Sequence, residues 1–528
     1  MKNYKHKEYV LNILPCVSYG VICGAITGAF IFLFKWLADK AEYASRYLYQ
    51  MASASAWYIA LAFLALIVLG LALILLHKKL PTARGGGIPR AEGYLRGSLS
   101  FTCVRTLIGT FIGSMIGFFA GLPVGCEGPA VLIGTCIGGI CVNFSKNKSA
   151  WKRYVTSGGA GAGFAVATGA PLTGILFVLE EVHKRFTPML VLTVSVSVII
   201  ATLINSLLSS AFGMQTALFD FGTLNSFELS HVLYLALLGV IIALMVAVFD
   251  ASISAIRKLS KKTSKQIKGW IKVLLVFVLT GVLAFTFTDG VYSGHHLIES
   301  LVLDNKILSV ALALLGIRLV MMLFVTDSAV TGGIFIPTLA IGALIGSISA
   351  KLLISIGLDS SLYQTVVLLS TCAFIGGTLR APFTATVFFI ELTGQFTNLF
   401  YVALVVFLVH VITELLNFTP FYDRVLQNIE ERENKGKEFK ENLFEMKVSD
   451  KAFVVGKTVR DVMWPISCVV LGIIHANEDK NTTGNIGEKL MFIGDTIILK
   501  ANYSDEEKLI HDLHGLVGYE HQIKKIEK

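Results

Sequence analysis

The sequence Gly125-Cys126-Glu127-Gly128-Pro129 places a charged residue between glycines and a proline. Glu127 is the only charged residue between Arg105 and Lys146, within an otherwise apolar segment. A charge at bilayer depth costs at least a few kcal/mol, so a carboxylate there indicates function. Glycine adapts the backbone and proline is tolerated in a first helical turn, so the flanking residues predict a helix start. We therefore expect a helix that begins inside a membrane beside a functional carboxylate.

Composition extends this interpretation to the whole chain. Hydrophobic residues make up 54% and charged residues 15%, whereas soluble globular chains average about 25% charged residues. Spanning helices need about 20 apolar residues, which several runs supply and others do not reach. The sequence predicts an all-α polytopic membrane protein with broken helices. The main apolar runs are residues 10–34, 57–76, 190–208, 233–248, 273–287 and 400–411.

Two further glycine and proline motifs predict helix starts of the same kind. They are Gly85-Gly86-Gly87-Ile88-Pro89 and Gly332-Gly333-Ile334-Phe335-Ile336-Pro337. A helix N-terminus exposes unpaired N–H groups and carries about +0.5 of a charge. Three such starts predict an anion site built without buried cations.

Two segments of the first half return in the second half. Residues 129–138 resemble 337–346, and residues 170–180 resemble 381–391 at nearly the same separation. Duplicated halves with interrupted helices place a transport site between them. Glu180 returns as Glu391, so both are predicted to serve helix ends or interfaces, whereas Glu181 has no acidic counterpart. We divide the membrane domain, 1–425, into repeats at 1–210 and 211–425.

The chain changes character after Tyr422. Residues 426–442 are densely charged and predict a linker, and residues 443–528 have the alternating pattern of a small α/β domain. We expect strands at 468–475 and 489–499 and a helix at 505–516.

The ordered motifs resemble the CLC family of chloride channels and chloride/proton antiporters. The pattern is GxGIP at 85–89, GxEGP at 125–129, GIFxP at 333–337, and a late tyrosine, Tyr422. The resemblance implies a CLC fold of two inverted repeats and a homodimer with one anion pathway in each subunit. It also implies that chloride binds near Gly86, to the amides of Ile334 and Phe335, and to the Tyr422 hydroxyl. Glu127 would be the external gate, which competes with chloride when ionised.

Glu181 separates two functions within this resemblance. It falls where proton-coupled members of the family carry an internal proton-accepting glutamate, which channel members commonly lack. We therefore expect a chloride/proton antiporter, with a passive, gated chloride channel as the alternative.

Two positions depart from the family pattern. Gly86 replaces a residue that is commonly serine, so the anion site loses a hydroxyl donor. Cys126 replaces the usual basic residue before the gate. Chloride is the expected anion, with nitrate or another small anion left open.

The C-terminal domain resembles the TrkA-C (RCK-C) module, on the residues Val455-Gly456-Lys457-Thr458-Val459 and Ile493-Gly494-Asp495. Such modules dimerise and bind small ligands, in some Gram-positive bacterial members cyclic di-AMP. Cyclic di-AMP is accordingly a candidate regulatory ligand, against a ligand-free dimerisation domain. Because these modules commonly accompany potassium channels, cation transport is a third alternative.

The remaining expectations concern location and chemistry. Basic residues beside the spans predict cytoplasmic loops, contact with anionic lipids, and a cytoplasmic N-terminus and C-terminal domain in a bacterial plasma membrane. No removable signal peptide is predicted. The eight cysteines are interpreted as packing residues, and His295 and His296 as solvated loop residues rather than metal ligands. We find no catalytic arrangement or nucleic-acid motif, and therefore expect no enzyme, resident cofactor, metal or nucleic-acid partner.

Overall fold

A computed structural model describes residues 2–143, 148–219, 221–263, 268–304, 306–465, 468–476 and 485–526. The chain is helical up to Glu433, and strands follow only after that residue. The helices of the first half are α1 Lys2–Ala52, α2 Ala56–Lys79, α3 Ile88–Arg96, α4 Cys103–Phe119, α5 Glu127–Asn143, α6 Lys148–Thr168, α7 Pro171–Leu176 and α8 Pro188–Phe212. A π-helical turn, Phe177–Val182, continues α7.

The second half repeats this alternation of long and short helices. Eight helices of the described chain are long and apolar enough to cross a membrane, and they include all the long predicted runs. Shorter apolar helices lie between them, as expected for segments that end within the bilayer. The second-half helices are α9 Val232–Thr263, α10 Gly269–Thr286, α11 His295–Leu303, α12 Leu308–Ser328, α13 Phe335–Ser355, α14 Tyr363–Leu379, α15 Pro382–Thr393, α16 Leu399–Leu415 and α17 Phe421–Glu433.

Glycines that the two halves share bring helices into close contact. A methyl group added to Gly134 of α5 would lie 2.1 Å from the main-chain oxygen of Gly159 in α6. In the other half, a methyl group on Gly346 of α13 would lie 2.9 Å from the main-chain oxygen of Val367 in α14. Small residues let membrane helices approach closely where no hydrophobic force joins them. The repeated glycines therefore set the same helix pairing in each half.

Two repeated glutamates tie the halves together. The Glu180 carboxylate accepts hydrogen bonds from the main-chain N–H groups of Phe383 and Thr384, at 3.0 and 2.7 Å, where α15 begins. Glu391 accepts the equivalent bonds from Leu172 and Thr173, both at 2.7 Å, where α7 begins. Each threonine hydroxyl adds a bond of 2.6 Å. The predicted helix-end role of both glutamates is confirmed, because each caps a helix of the opposite half.

The C-terminal region forms a four-stranded antiparallel sheet with one helix. The strands are β1 Lys440–Lys447, β2 Cys468–Ile474, β3 Thr496–Tyr503 and β4 Lys524–Ile526, in the order β2-β3-β1-β4, and α18 is Glu506–Val517. The first strand and α17 both extend into the predicted linker, which shortens it. The prediction of a strand at 489–499 was wrong in its first half, because the chain turns at Gly494 with φ +85° before β3 starts.

This sheet domain packs on the first turns of α6. The buried Tyr154 hydroxyl donates to the main-chain oxygen of Asp461 at 3.1 Å and accepts from the Met463 N–H at 3.3 Å. Arg153 donates to the Met463 oxygen at 3.1 Å. The Trp151 ring contacts Phe453 edge-on, with centroids 4.9 Å apart. The domain is thus attached to the membrane part by specific polar and aromatic contacts.

Candidate functional site

The three glycine and proline motifs meet at one junction. Gly125 and Gly333 exchange two main-chain hydrogen bonds of 2.7 Å, one in each direction. The first motif joins them, because the Gly85 N–H donates to the Ala329 oxygen at 3.0 Å, just before the third motif. Each motif leads directly into a helix, α3, α5 or α13. All three predicted helix starts are therefore present and converge.

This convergence requires glycine. A methyl group on Gly128 would lie 1.9 Å from the Gly86 oxygen and 2.8 Å from the Gly333 Cα. A methyl group on Gly87, whose φ is +84°, would lie 2.2 Å from the Gly128 oxygen. Backbones from all three motifs thus touch without side chains between them.

Buried hydrogen-bond donors are left over at the start of α13. Ile334 and Phe335 are 4% and 3% exposed. Among the described residues their main-chain N–H groups find no acceptor, whereas the Ile334 oxygen accepts from the Thr338 N–H at 3.1 Å. Buried N–H groups in proteins are nearly always paired, so two adjacent unpaired donors indicate an acceptor from outside the chain. An anion at a helix N-terminus is such an acceptor.

Glu127 brings a carboxylate to the same junction. Its side chain folds back over Gly125, where an added methyl group would lie 2.3 Å from Oε2. The residue is 1% exposed, and Oε2 has no hydrogen-bond partner among the described residues. Oε1 accepts a hydrogen bond from the Cys126 thiol at 3.3 Å. A buried carboxylate with so few partners is poised to exchange a proton or to move.

The other predicted anion-site residues lie around this junction. A methyl group on Gly86 would be 3.5 Å from the Ile334 side chain, so these two residues are neighbours. Tyr422, at the start of α17, is 1% exposed and directly precedes Asp423, whose carboxylate binds the same Arg96 side chain as the Glu181 main-chain oxygen. Gly86, Ile334 and Phe335 therefore lie together at the junction, and Tyr422 is buried on the side of Glu181.

Glu181 lies in the π-helical turn and is 1% exposed. Its Oε1 has no hydrogen-bond partner among the residues described, while its main-chain oxygen accepts from Arg96 at 3.0 Å. A π-helical turn often marks a functional site. Sequence reasoning missed Arg96, Glu92 and Asp423, which contact or surround Glu181. The available signal was the pair of opposite charges one turn apart in α3, directly after the first motif.

His295 and His296 do not lie in a loop, contrary to the prediction. They begin α11, because Gly294 before them adopts φ +102° and turns the chain into the helix. His295 contacts the Leu218 oxygen at 2.5 Å through Nε2. No cluster of three or more possible metal ligands occurs within the described ranges. None of the eight cysteines, all of which lie in the described ranges, forms a disulfide.

Comparisons with known proteins agree with this geometry. A family model described as voltage gated chloride channel matches residues 69–414. A slow cyanobacterial Cl⁻/H⁺ antiporter superposes with TM-score 0.72 at 22% identity, covering 79% of this chain and 99% of that one. A eukaryotic CLC transporter superposes with TM-score 0.66 at 20% identity, covering 80% of this chain and 74% of that one.

A third solved structure, a CLC-type fluoride/proton antiporter, gives TM-score 0.63 at 18% identity, covering 76% of this chain and 95% of that one. At these identities the structures establish a shared fold, and the sequence match establishes the family because it covers more than half of the chain. This protein belongs to the CLC (voltage gated chloride channel) family.

Proposed function

We propose that this protein exchanges chloride for protons across a membrane. One observation carries the proposal. The Glu127 carboxylate, whose Oε2 has no hydrogen-bond partner among the described residues, lies at one buried junction of helix starts with the N–H groups of Ile334 and Phe335, which find no acceptor there. A carboxylate and a halide are interchangeable charges at such donors. The residue that gates the anion can then also carry the proton.

Family membership supplies the coarse function. The chain is a multi-pass membrane protein for CLC-type anion transport and is not an enzyme. The cation-transport alternative was wrong, because the family model that matches most of the chain is that of a chloride channel. Antiport and passive conduction of chloride are the two functions left to separate.

In the proposed cycle chloride binds to the amides of Ile334 and Phe335 and to the Tyr422 hydroxyl, beside Gly86. Ionised Glu127 competes for these donors, and protonated Glu127 leaves them to chloride. Glu181 accepts protons on the cytoplasmic side. Its burial supports this role, as does its Oε1, which has no hydrogen-bond partner among the described residues.

Purified protein in liposomes tests the exchange. An outward chloride gradient is expected to drive proton uptake against a proton gradient, and Glu181→Gln is expected to reduce that uptake about 100-fold or more. Chloride flux should survive in the variant, since the glutamine keeps the shape of the site. Glu180→Gln is the matched control: it removes a helix cap and should lower thermal stability without uncoupling.

Two outcomes would contradict this proposal, and the first of them would favour the channel. Wild-type chloride flux without uphill proton movement would exclude antiport. Full coupling in Glu181→Gln would remove Glu181 from the proton path. Repeating the assay with nitrate and fluoride in place of chloride identifies the preferred anion. The choice of anion is open because Gly86 and Cys126 depart from the family pattern.

We further propose a homodimer in a bacterial plasma membrane, with the N-terminus and the C-terminal domain in the cytoplasm. The membrane domain is 1–425 with its repeats at 1–210 and 211–425, and 443–528 is the regulatory domain. The basic residues beside the spans support this orientation, since such loops are retained in the cytoplasm. Membrane lipids, chloride and protons are its partners in this proposal.

A regulatory function of the C-terminal domain is favoured by its attachment to α6. The domain contacts Arg153 and Tyr154 of α6. One turn further along α6, Ser157 hydrogen bonds at 2.7 Å to His183, which follows Glu181 by two residues. A ligand that shifts this domain would therefore act near the inner carboxylate. We propose a TrkA-C-like (RCK-C) module that takes a small nucleotide, with cyclic di-AMP as the first candidate.

Calorimetry on the full-length protein tests this ligand. Cyclic di-AMP at micromolar concentration is expected to release measurable heat and to change the chloride flux of the liposomes. AMP at the same concentration serves as the control and should do neither. If cyclic di-AMP gives no heat, the nucleotide role fails and a ligand-free dimerisation domain remains.

A further inference from the structure

Arg96 joins three elements of the transport site. It is the last residue of α3, the helix that starts at the first glycine motif. Its Nε donates to the Val182 oxygen at 2.8 Å, and its Nη2 donates to the Glu181 oxygen at 3.0 Å. Its Nη1 binds the Asp423 carboxylate at 2.8 Å. One guanidinium thus holds α3, the π-helical turn and α17 together.

The acidic partners of Arg96 are themselves part of the site. Asp423 directly follows Tyr422, and its second oxygen binds Lys184 at 2.5 Å. Glu92, one turn before Arg96, forms an ion pair with it and is fully buried, at 0% side-chain exposure. Glu92 and Glu181 both neighbour Arg96, Glu92 through this ion pair and Glu181 through its main-chain oxygen. The cluster therefore contains three carboxylates and two cations, with Arg96 in contact with two of the carboxylates.

The contacts of Arg96 explain why the Glu181 carboxylate stays available. Arg96 binds the main chain of Glu181 and leaves Oε1 of the side chain without a partner among the described residues. A guanidinium presents five N–H donors in a rigid plane, so several bonds fix position and orientation together. Lysine offers a charge but not this planar geometry.

We propose that Arg96 is a positioning residue for proton coupling, which fixes the Glu181 backbone relative to Tyr422 and α3 while its charge balances Glu92 and Asp423. The inference deepens the proposed function and rests on it, because it assigns Glu181 a proton to carry. Arg96 needs no contact with chloride or with the proton. Its effect is to hold the Glu181 carboxylate within reach of the end of the anion site at which Tyr422 lies.

The expected result is a split between the two fluxes. In liposomes, Arg96→Gln should lower the number of protons moved per chloride about tenfold or more, since small misplacements at a reacting group have effects of this size. Chloride flux should change less than about threefold, because the donors of the anion site remain. Arg96→Lys should recover less than half of the lost coupling, because only the ion pairs are restored.

Arg380 provides a matched control. It has the same side-chain exposure as Arg96, 16%, pairs with Glu414 at 2.9 Å and donates to the Thr413 oxygen at 3.2 Å. Arg380→Gln therefore removes a similar ion pair and main-chain bond at a site that contacts neither Glu181 nor Asp423. The proton-to-chloride ratio of this variant should equal that of the wild type.

Several results would overturn the inference. If the wild type moves no protons uphill, the proposed function fails and this inference fails with it. If the wild type is coupled, three results reject the role of Arg96 and leave the proposed function standing. They are an unchanged proton-to-chloride ratio in Arg96→Gln, a parallel loss of both fluxes in that variant, and complete recovery of coupling by Arg96→Lys. Should Arg96→Gln not elute as a folded protein, Asp423→Asn replaces it, and unchanged coupling in that variant also rejects the proposal.

Discussion

Replacing Glu127 by glutamine is expected to abolish proton coupling while chloride flux continues. Glutamine has the shape of protonated glutamate, so it no longer competes as an anion for the donors of Ile334 and Phe335, and it cannot carry a proton. Coupled proton movement should fall about 100-fold or more, as when a proton-transferring group is removed. The measurement is proton uptake driven by a chloride gradient in liposomes, with chloride efflux recorded in parallel.

The control is Glu299→Gln. Glu299 of α11 is a half-exposed carboxylate in ion pairs with His295 and His296, at 3.6 and 3.4 Å. Its loss should leave the ratio of protons to chloride unchanged. Retained coupling in Glu127→Gln would take Glu127 out of the mechanism, and loss of both fluxes would show that the carboxylate is needed to build the site.

The second large effect is expected from a single methyl group, in Gly128→Ala. The added carbon would lie 1.9 Å from the Gly86 oxygen and 2.8 Å from the Gly333 Cα, and both neighbours are backbone atoms that cannot rotate away. Overpacking usually costs about 1–3 kcal/mol, and separating three helix starts should cost at least that. We expect the melting temperature in detergent to fall and chloride flux to be lost.

Gly316→Ala is the control for this variant. Gly316 lies within α12, and nothing lies within 4 Å of an added methyl group. Alanine is favoured over glycine inside a helix by about 0.5–1 kcal/mol, so the melting temperature should hold or rise slightly. If Gly128→Ala transports chloride at the wild-type rate, the three motifs do not need to touch for function.

Local signals explain what could be predicted. Glycine before proline specifies a helix start by backbone geometry alone, so α3, α5 and α13 could be placed from sequence. The repeat placed Glu180 and Glu391 in equivalent positions, and their shared chemistry indicated a structural role. Apolar length identified the long spans. Each of these signals depends on residues that are neighbours in the chain or recur in it.

The contacts of Arg96 could not be predicted in this way. Its partners Glu181 and Asp423 are far apart in sequence, and neither carries a pattern that names the other. The start of β3 was misplaced because residues 489–495 are as apolar as a strand but turn at Gly494 instead. Hydrogen bonds between distant residues determine the contacts of Arg96, and a left-handed glycine determines the start of β3. Neither can be recognised from the composition of a segment.

The exchange of caps between Glu180 and Glu391 also bears on the ancestry of the protein. The glutamate of each half accepts hydrogen bonds from a helix start in the other half, and the helix start of each half donates to the glutamate of the other. A chain of half this length would need a second copy of itself to satisfy both groups, which is the self-complementary arrangement of a twofold dimer. Gene fusion would then have joined two subunits that already depended on each other. The two halves of the present chain differ at the neighbouring position of the repeat, which is Glu181 in the first half and Leu392 in the second.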